Sequence, residues 1–382
     1  MPTIRSGQVA TSEVLANSLV MDMDTRVFQY DPPGAPGMKI FTNRIGSKPA
    51  KQTTVRWMED EPVPYWDQIN NGAGYASGIT ALTVDNGSYF QVGNLVKVVR
   101  TDEVMRVTGV VGNVLTVTRG YIGSAAAIVD NDYLLNLSTA EMEGDNAPEA
   151  QSTLKVEKTN HVQIVRTPVH ITETNMAVDH YHGDELAYQR RKAAEAHARR
   201  WEEILLHGRK KEDTSTAAKP IRAAGGIDEH ITTNVFDAGS VLTQSEFDDW
   251  IGDCFRYSVR PGRNSKILFA SRNLINTINS WGSGKLVMNA VASQTYGMDI
   301  STYVTGFGKL SVLYHPLLEL GYEGYGYLVD PDGVVYRPLR GTKLKTGIQA
   351  NDEDGVKDEY ITEATFQFAL EKCFGKIYNV DF

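Results

Sequence analysis

Residues 184–207 read DELAYQRRKAAEAHARRWEEILLH and run into Gly208. This stretch decides the fold. It is rich in alanine and straight-chain residues, opens on acidic side chains that suit a helix N-terminus, and stops at a glycine. It therefore predicts one helix over 184–207 with a left-handed glycine terminator. Leu186, Ala193, His197, Trp201, Ile204 and Leu205 fall on one apolar stripe, the face a packed helix buries. Arg191 with Glu195, Glu195 with Arg199 and Arg199 with Glu203 stand four apart, each pair contributing roughly 0.2–0.5 kcal/mol. With a rise of about 1.5 Å per residue the helix spans about 36 Å. A charged rod of that length is a frame element.

Downstream, the pattern predicts a compact α/β block. Thr243 and Glu246 form a capping box, opening a helix that carries Phe247, Trp250, Ile251, Cys254 and Phe255 as far as Pro261-Gly262. A strand KILFA at 266–270 follows, then a helix from Ser271 carrying Leu274, Ile275, Ile278 and Trp281. Two strands, 300–305 and 309–314, flank Gly306-Phe307-Gly308 as a hairpin. A second hairpin is expected to pair YGYLVD with VVYRPL across a type I turn at Pro331-Asp332-Gly333. Alternation at Ala364, Phe366, Phe368 and Leu370 makes the C-terminus a long half-buried strand.

Upstream, residues 1–48 hold Pro2, Pro32, Pro33 and Pro36 and no sustained period, which reads as an extended arm with one apolar cluster, Val14, Leu15, Leu19, Val20 and Met21. In TTVRWMEDEPVPYWDQINN (53–71), Trp57, Tyr65 and Trp66 alternate with charge and proline. Large aromatics on a segment without a core need a partner surface, so these three are the candidates for contacts between subunits. From about 79 to 124 the text becomes short β-branched runs with turns at Asp85-Asn86-Gly87 and Gly112-Asn113, the signature of a small antiparallel barrel, which reads as an inserted module.

The net charge of -9 argues against a surface built to grip nucleic acid, while mild acidity suits the wall of a container whose contents must not adhere. Cys254 and Cys373 are too few for a disulfide framework and sit in apolar patterns, as reduced core thiols do. No basic head with an apolar run opens the chain, and no stretch approaches the ~18 apolar residues of a span, so neither export nor membrane insertion is expected.

Enzyme-like motifs fail on particular residues. Gly282-Ser283-Gly284-Lys285 lacks the upstream glycine of a phosphate loop, where Asn279 stands, and continues with Leu286. Gly72 to Gly78 nearly spells a dinucleotide fingerprint, but Ser77 replaces the third glycine and β-type sequence follows. His180 and His182, with Asp179, Asp184 and Glu185, have residue types that hold a divalent metal, yet these also suit a polar helix start. Asn351 to Gly355 lacks the alternating ligands of a calcium loop. No Gly-x-Ser-x-Gly elbow or Cys–His pairing marks a nucleophile. No catalytic residue, metal ligand or cofactor is expected.

The order of parts, and the text RTPVHITETNMAVDHYHGDELAYQRRKAAEAHARRWEEILLHG with Gly225-Gly226-Ile227 beyond it, resemble the major capsid proteins of tailed bacteriophages with the Hong Kong 97-like fold. ALTVDNGSYFQVGNLVKVV, EVMRVTGVVGNVLTVTRGYIG and FGKLSVLYHPLL resemble the inserted module and the axial-domain hairpin of one branch. The resemblance implies an α+β chain: an N-terminal arm at 1–48, an extended loop at 49–77 and 126–158, and an inserted small antiparallel β-barrel at 78–125. A peripheral domain at 159–240 and 330–382 would carry the spine helix 184–207, with an α/β axial domain at 241–329. It also implies self-assembly as pentamers and hexamers into a head shell enclosing double-stranded DNA without sequence-specific binding. Scaffold, portal and decoration proteins join the expected partners, the bacterial host cytoplasm is the place of synthesis and the virion the destination. Three alternatives stay open on sequence: an encapsulin-type nanocompartment shell, a metal-dependent enzyme using His180 and His182, and another virion component such as a tail or decoration protein.

Overall fold

The computed structural model describes residues 47–381 apart from 142, 145–148, 182, 216–218, 261, 263–264, 282–285, 289–300 and 320. The expected N-terminal arm, His182 and the Gly282–Lys285 motif lie outside the described residues. The chain divides into two compact units, one of Met58–Glu157 and one of the remainder.

Strand β1 (Thr54–Glu59) leads into the smaller unit, which contains β2 (Trp66–Gln68), β3 (Ala81–Thr83), β4 (Asn94–Val98), β5 (Val104–Val111), β6 (Val114–Ile122) and β7 (Tyr133–Thr139). These make a six-stranded sheet in the order β2-β7-β4-β5-β6-β3, with every pairing antiparallel. The hairpin expected at Gly112-Asn113 joins β5 to β6, and Gly112 supplies the positive φ (58°) that the tight turn demands. The inward-facing side chains Leu82, Val96, Val98, Met105, Val107, Leu115 and Leu134 form its core.

β8 (Val156–His161) pairs with β1 and carries the chain back to the larger unit, where β9 (Gln163–Ile171) precedes a short helix, Glu173–Ala177, and then the long helix Glu185–His207. The long helix matches the expected span within one residue, capped by the Asp184 carboxylate on the amides of Leu186 and Ala187. A small hairpin, β10 (Lys211–Asp213) and β11 (Ile221–Ala223), is followed by the turn of helix Ile227–His230 and β12 (Val235–Asp237). The helix Gln244–Phe255 opens on the complete Thr243–Glu246 capping box. Next come β13 (Ser265–Ala270), helix Arg272–Ser280, β14 (Leu286–Met288), β15 (Ser301–Val304) and β16 (Lys309–Tyr314). The last strands are β17 (Gly326–Val329), β18 (Val334–Lys345), β19 (Val356–Phe368) and β20 (Gly375–Tyr378). They assemble a seven-stranded mixed sheet, β12-β20-β17-β13-β16-β15-β14, and a three-stranded antiparallel sheet, β18-β19-β9, against which the long helix lies.

Three expectations are corrected. Gly208 is not left-handed: its φ and ψ are -53° and 143°. It must be glycine because a Cβ would stand 2.5 Å from the Ile204 carbonyl oxygen and 2.6 Å from that of Ala224. Gly226 is equally crowded by the carbonyl oxygens of Ile204 and Leu205, and its amide donates to the Gly208 carbonyl at 2.9 Å. The helix thus ends backbone against backbone on the Gly-Gly-Ile loop. Second, β17 and β18 are not a hairpin. The Pro331–Gly333 turn is a 3-10 element that passes the chain from the seven-stranded sheet to the three-stranded one. β17 is buried at all four positions, as a central strand must be, and its neighbours are β13 and β20. Third, the C-terminal strand is two strands. β19 begins at Val356 and is buried on both faces; Leu370, at φ 60°, then breaks the run and β20 joins the other sheet.

The larger unit's main core gathers Trp201, Leu205 and Leu206 from the long helix, Ile227 and Ile231, Phe269 and Tyr327 from the seven-stranded sheet, and Phe366 and Phe368 from β19. Each such side chain contributes about 1.5–3 kcal/mol by leaving water. A second core, with Phe247, Trp250, Ile251, Leu274 and Ile278, packs the two shorter helices on the same sheet.

Candidate assembly surfaces and the polar joints of the frame

The long helix is fixed to its surroundings by buried polar side chains that the apolar stripe does not reveal. His197 is 3% exposed, with Nδ1 2.9 Å from the Thr167 hydroxyl on β9 and Nε2 2.8 Å from the Thr362 hydroxyl on β19. Burial, reinforced by the Arg200 charge, holds its pKa below the ordinary imidazole value. Arg190 reaches the fully buried Asp358 carboxylate at 2.7 Å. One turn beyond His197, Glu202 and His315 are both completely buried and 2.6 Å apart. The Leu317 amide donates to His315 Nδ1 at 3.2 Å, so the imidazole proton sits on Nε2 and is given to Glu202. This bond ties the long helix to the turn after β16.

The depressed pKa of His197 has a sign. The unfolded chain binds a proton there more readily than the folded one, so the contribution is fully present above about pH 6.5 and is lost as pH falls through the folded value. His161 and His207 are shifted the same way by burial. Thermal melts from pH 7.5 to 5 are expected to show falling stability, with a slope of up to about 1.4 kcal/mol per pH unit for each titrating histidine. His197→Gln should flatten that slope in part.

In the larger unit Lys266, second in β13, is fully buried, its ammonium donating to the carbonyls of Cys254 and Cys373, each at 2.6 Å, and of Tyr257 at 3.2 Å. Burial lowers its pKa. Cys254 and Cys373 are buried free thiols, and burial pushes Cys254 up to about 12. In the smaller unit Glu103 takes a two-pronged bond from Arg119, 2.9 Å to each oxygen, plus the amides of Gly120 at 2.8 Å and Ala126 at 3.1 Å. Burial would raise the Glu103 pKa, but these donors outweigh it and the net shift is downward.

The three aromatic candidates do not share one environment. Trp57 is half-buried beside Val55 and Val162, with its ring 6.4 Å from His230, all in the larger unit. Trp66 is half-buried against Tyr133, centroids 5.4 Å apart, in the smaller unit. Both therefore have intramolecular packing that the sequence reading did not foresee. Tyr65 is 65% exposed. Around Trp66 the outer side of the β2-β7-β4 sheet carries several apolar side chains: Tyr133, Leu137 and Val99 are about half exposed, and Leu135 lies between Trp66 and Lys97, with Gln68 opposite Tyr133. The inner positions between them, Leu134, Val96 and Val98, are buried. The run YLLNL (133–137) carries this signal in the sequence, because it is apolar on both faces of a strand. His180 bonds the Asn175 carbonyl at 3.0 Å. Among the described residues no group of three His, Cys, Asp or Glu is gathered to hold a metal, and no helix is long and apolar enough to cross a membrane.

Comparison with known proteins places this architecture. The mixed α+β chain is similar to the structure from Mycobacterium phage Cain, with a TM-score of 0.51 and 8% identity over 97% of this chain and 98% of that one. It is also similar to the capsid of the native GTA particle, with a TM-score of 0.52 and 8% identity over 96% of each chain. Those likenesses show the fold, that of phage capsid subunits. In sequence, the chain is 27% identical over 338 residues to the major capsid protein of Pseudomonas phage PaMx41, covering 85% of this chain and 80% of that protein. The model of the SU10 major capsid protein family matches residues 7–381. Matched over nearly its whole length, the chain belongs to the SU10 major capsid protein family, and it is a structural protein of a phage virion, a major capsid protein.

Proposed function

We propose that this capsid protein builds the head shell by associating with copies of itself as pentamers and hexamers around double-stranded DNA held without sequence-specific contacts. Scaffold, portal and decoration proteins fit the same role, as does synthesis in the host cytoplasm. The spine of each subunit is the long helix, in a peripheral domain of 159–240 and 330–382, with the axial domain at 241–329. Residues 49–77 and 126–158 form the extended loop and 78–125 the inserted barrel, whose sheet also takes in β2 and β7 from the loop ranges. In support of a barrel, the edge strands of the six-stranded sheet approach each other: the Asn70 amide donates to the Thr83 carbonyl at 3.0 Å and the Asp85 amide to Gln68 at 3.1 Å, around a bridge between Ile69 and Val84.

The observation that carries the assembly reading is the group of partly exposed apolar side chains Trp66, Tyr133, Leu135, Leu137 and Val99 on the outer face, with Lys97 and Gln68 among them and Tyr65 next in sequence. Exposed apolar surface of this kind marks protein contacts, and for a shell subunit the partner is another copy. Many modest contacts repeated around a closed particle hold it together through high effective concentration. The double variant Tyr65→Ala/Leu137→Ala should fold with unchanged helix content and thermal stability within about 1 kcal/mol, because both residues are largely exposed. Its yield of assembled particles, read by sedimentation, should fall at least tenfold. Wild-type yield would remove this face from the shell contacts.

A further inference from the structure

We propose that the basic face of the three-stranded sheet, the one turned away from the long helix, receives the acidic rim of the smaller unit of a neighbouring copy. This rests on the shell role proposed above and names the surface that such a neighbour meets. Asp358 and Thr362 of β19 point to the helix, where they bond Arg190 and His197. On the opposite face the strand registers place Arg166, Arg337, Arg340, Lys343, Lys345 and Lys357, and the carboxylates these strands add to it are Glu359 and Glu363. Both carboxylates lie under the cations. Glu359 accepts from Arg166 at 2.6 Å and is 3.4 Å from Lys345, and Glu363 accepts from Arg340 at 2.5 Å. The side chains of Arg166, Arg340 and Lys345 are nonetheless 60%, 52% and 51% exposed. The face therefore carries an excess of positive charge on arms held in place from beneath.

Such a face contrasts with the net charge of -9, and that charge has an address. Residues 58–157 hold 14 acidic and 5 basic side chains, which is the whole of the chain's imbalance. Three of those bases are paired inside the unit, Lys97 with Asp102, Arg100 with Asp132 and Arg119 with Glu103. No lysine or arginine stands between Arg119 and Lys155, and within that stretch Glu141, Glu143 and Glu149 are exposed. The segment is fastened along the unit. The Ala140 amide donates to the Gly93 carbonyl at 2.9 Å, the Gln91 side-chain amide to the Glu149 carbonyl at 2.8 Å, and the Thr153 hydroxyl to the Asp60 carboxylate at 2.7 Å. Exposed Asp60 and Glu61 thus continue the row as a fixed acidic rim. Facing rows of opposite charge steer encounter and set register. Each pair contributes little alone, so the effect depends on repetition around a shell. Double-stranded DNA fits the face less well. Its phosphates, one charge per about 1.7 Å, would press on Glu359 and Glu363 on the middle strand, whereas separate carboxylates can meet the cations of the flanking strands.

Charge reversal tests this on the full chain. Lys343→Glu/Lys345→Glu reverses part of the face while leaving Arg166 on Glu359, and Glu141→Lys/Glu143→Lys/Glu149→Lys reverses the rim. Each variant should keep the helix content of the parent and lose at least tenfold in assembled particles by sedimentation. All five changes in one chain should restore assembly. At low ionic strength, the tagged face variant should capture the untagged rim variant at least tenfold better than it captures untagged copies of itself. Parent-like assembly by both variants overturns the proposal, as does failure of the combined changes to restore it. Recovery without capture would place the contact within one chain, and normal assembly by the face variant with lost binding of a double-stranded DNA fragment would assign the face to nucleic acid; either also overturns it. Where a reversal fails to fold, Lys343→Gln/Lys345→Gln or Glu141→Gln/Glu143→Gln/Glu149→Gln replaces it, with a loss of at least threefold expected and parent-like assembly the contrary result. An unaltered protein that forms no particles would count against the shell role, and capture between soluble chains would still decide this contact.

Discussion

Replacing Glu202 by alanine is expected to destabilise the larger unit by about 3–5 kcal/mol, the usual effect of removing one partner from a fully buried hydrogen-bonded pair. The Leu317 amide fixes the His315 proton on Nε2, so loss of the carboxylate leaves that N–H in a site closed to water, and a hole beside it. Glu202→Gln should cost much less, because its amide oxygen can still accept. Removing both partners, as Glu202→Leu with His315→Leu, should recover much of the loss, since two apolar side chains leave nothing unpaired. Urea denaturation followed by tryptophan emission checks the series. Equal losses for Ala, Gln and the double variant would show that the bond is dispensable and only packing matters.

The second large effect belongs to the smaller unit. Arg119→Ala removes the cation from the buried Glu103 carboxylate, leaving only the amides of Gly120 and Ala126 on it, and should cost about 3–5 kcal/mol. Arg119→Lys should recover less than half, because a single ammonium cannot reproduce the two-pronged bond. Among the described residues Met58–Glu157 contains no α-helix. Its melting should therefore appear as an early transition with little change at the helix wavelength near 222 nm. The pH dependence follows from the lowered Glu103 pKa: the contribution is complete above the ordinary carboxylate range and is lost as pH falls through the folded value. In Arg119→Ala that acid-side loss should shrink. A single transition that takes the long helix with it would show that the two units unfold together.

Period and punctuation made much of the frame legible from sequence. Helix 184–207, the Thr243–Glu246 box, the β5–β6 hairpin and the β15–β16 hairpin all depend on residues within a few positions of one another, which local physics reads well. Pro331-Asp332-Gly333 shows why the rest was hidden: a turn signal says that the chain reverses, not whether the flanking strands pair, and here they enter different sheets. The same holds at Leu370, where an alternating pattern continues through a break that only the tertiary path explains. Gly208 was legible as a stop and misread in cause, because the Ala224 carbonyl that crowds it comes from a distant loop. Glu202, Lys266 and the Glu103–Arg119 pair were not singled out, since nothing local in the sequence marks a charged side chain for burial. Trp57 and Trp66 looked partnerless because His230 and Tyr133 are equally remote.

Electron microscopy of the unaltered protein, produced with its neighbouring genes, tests the shell role most directly. Rings of five and six subunits, or closed shells, are the expected result. A monodisperse small oligomer that never assembles under any condition would contradict it.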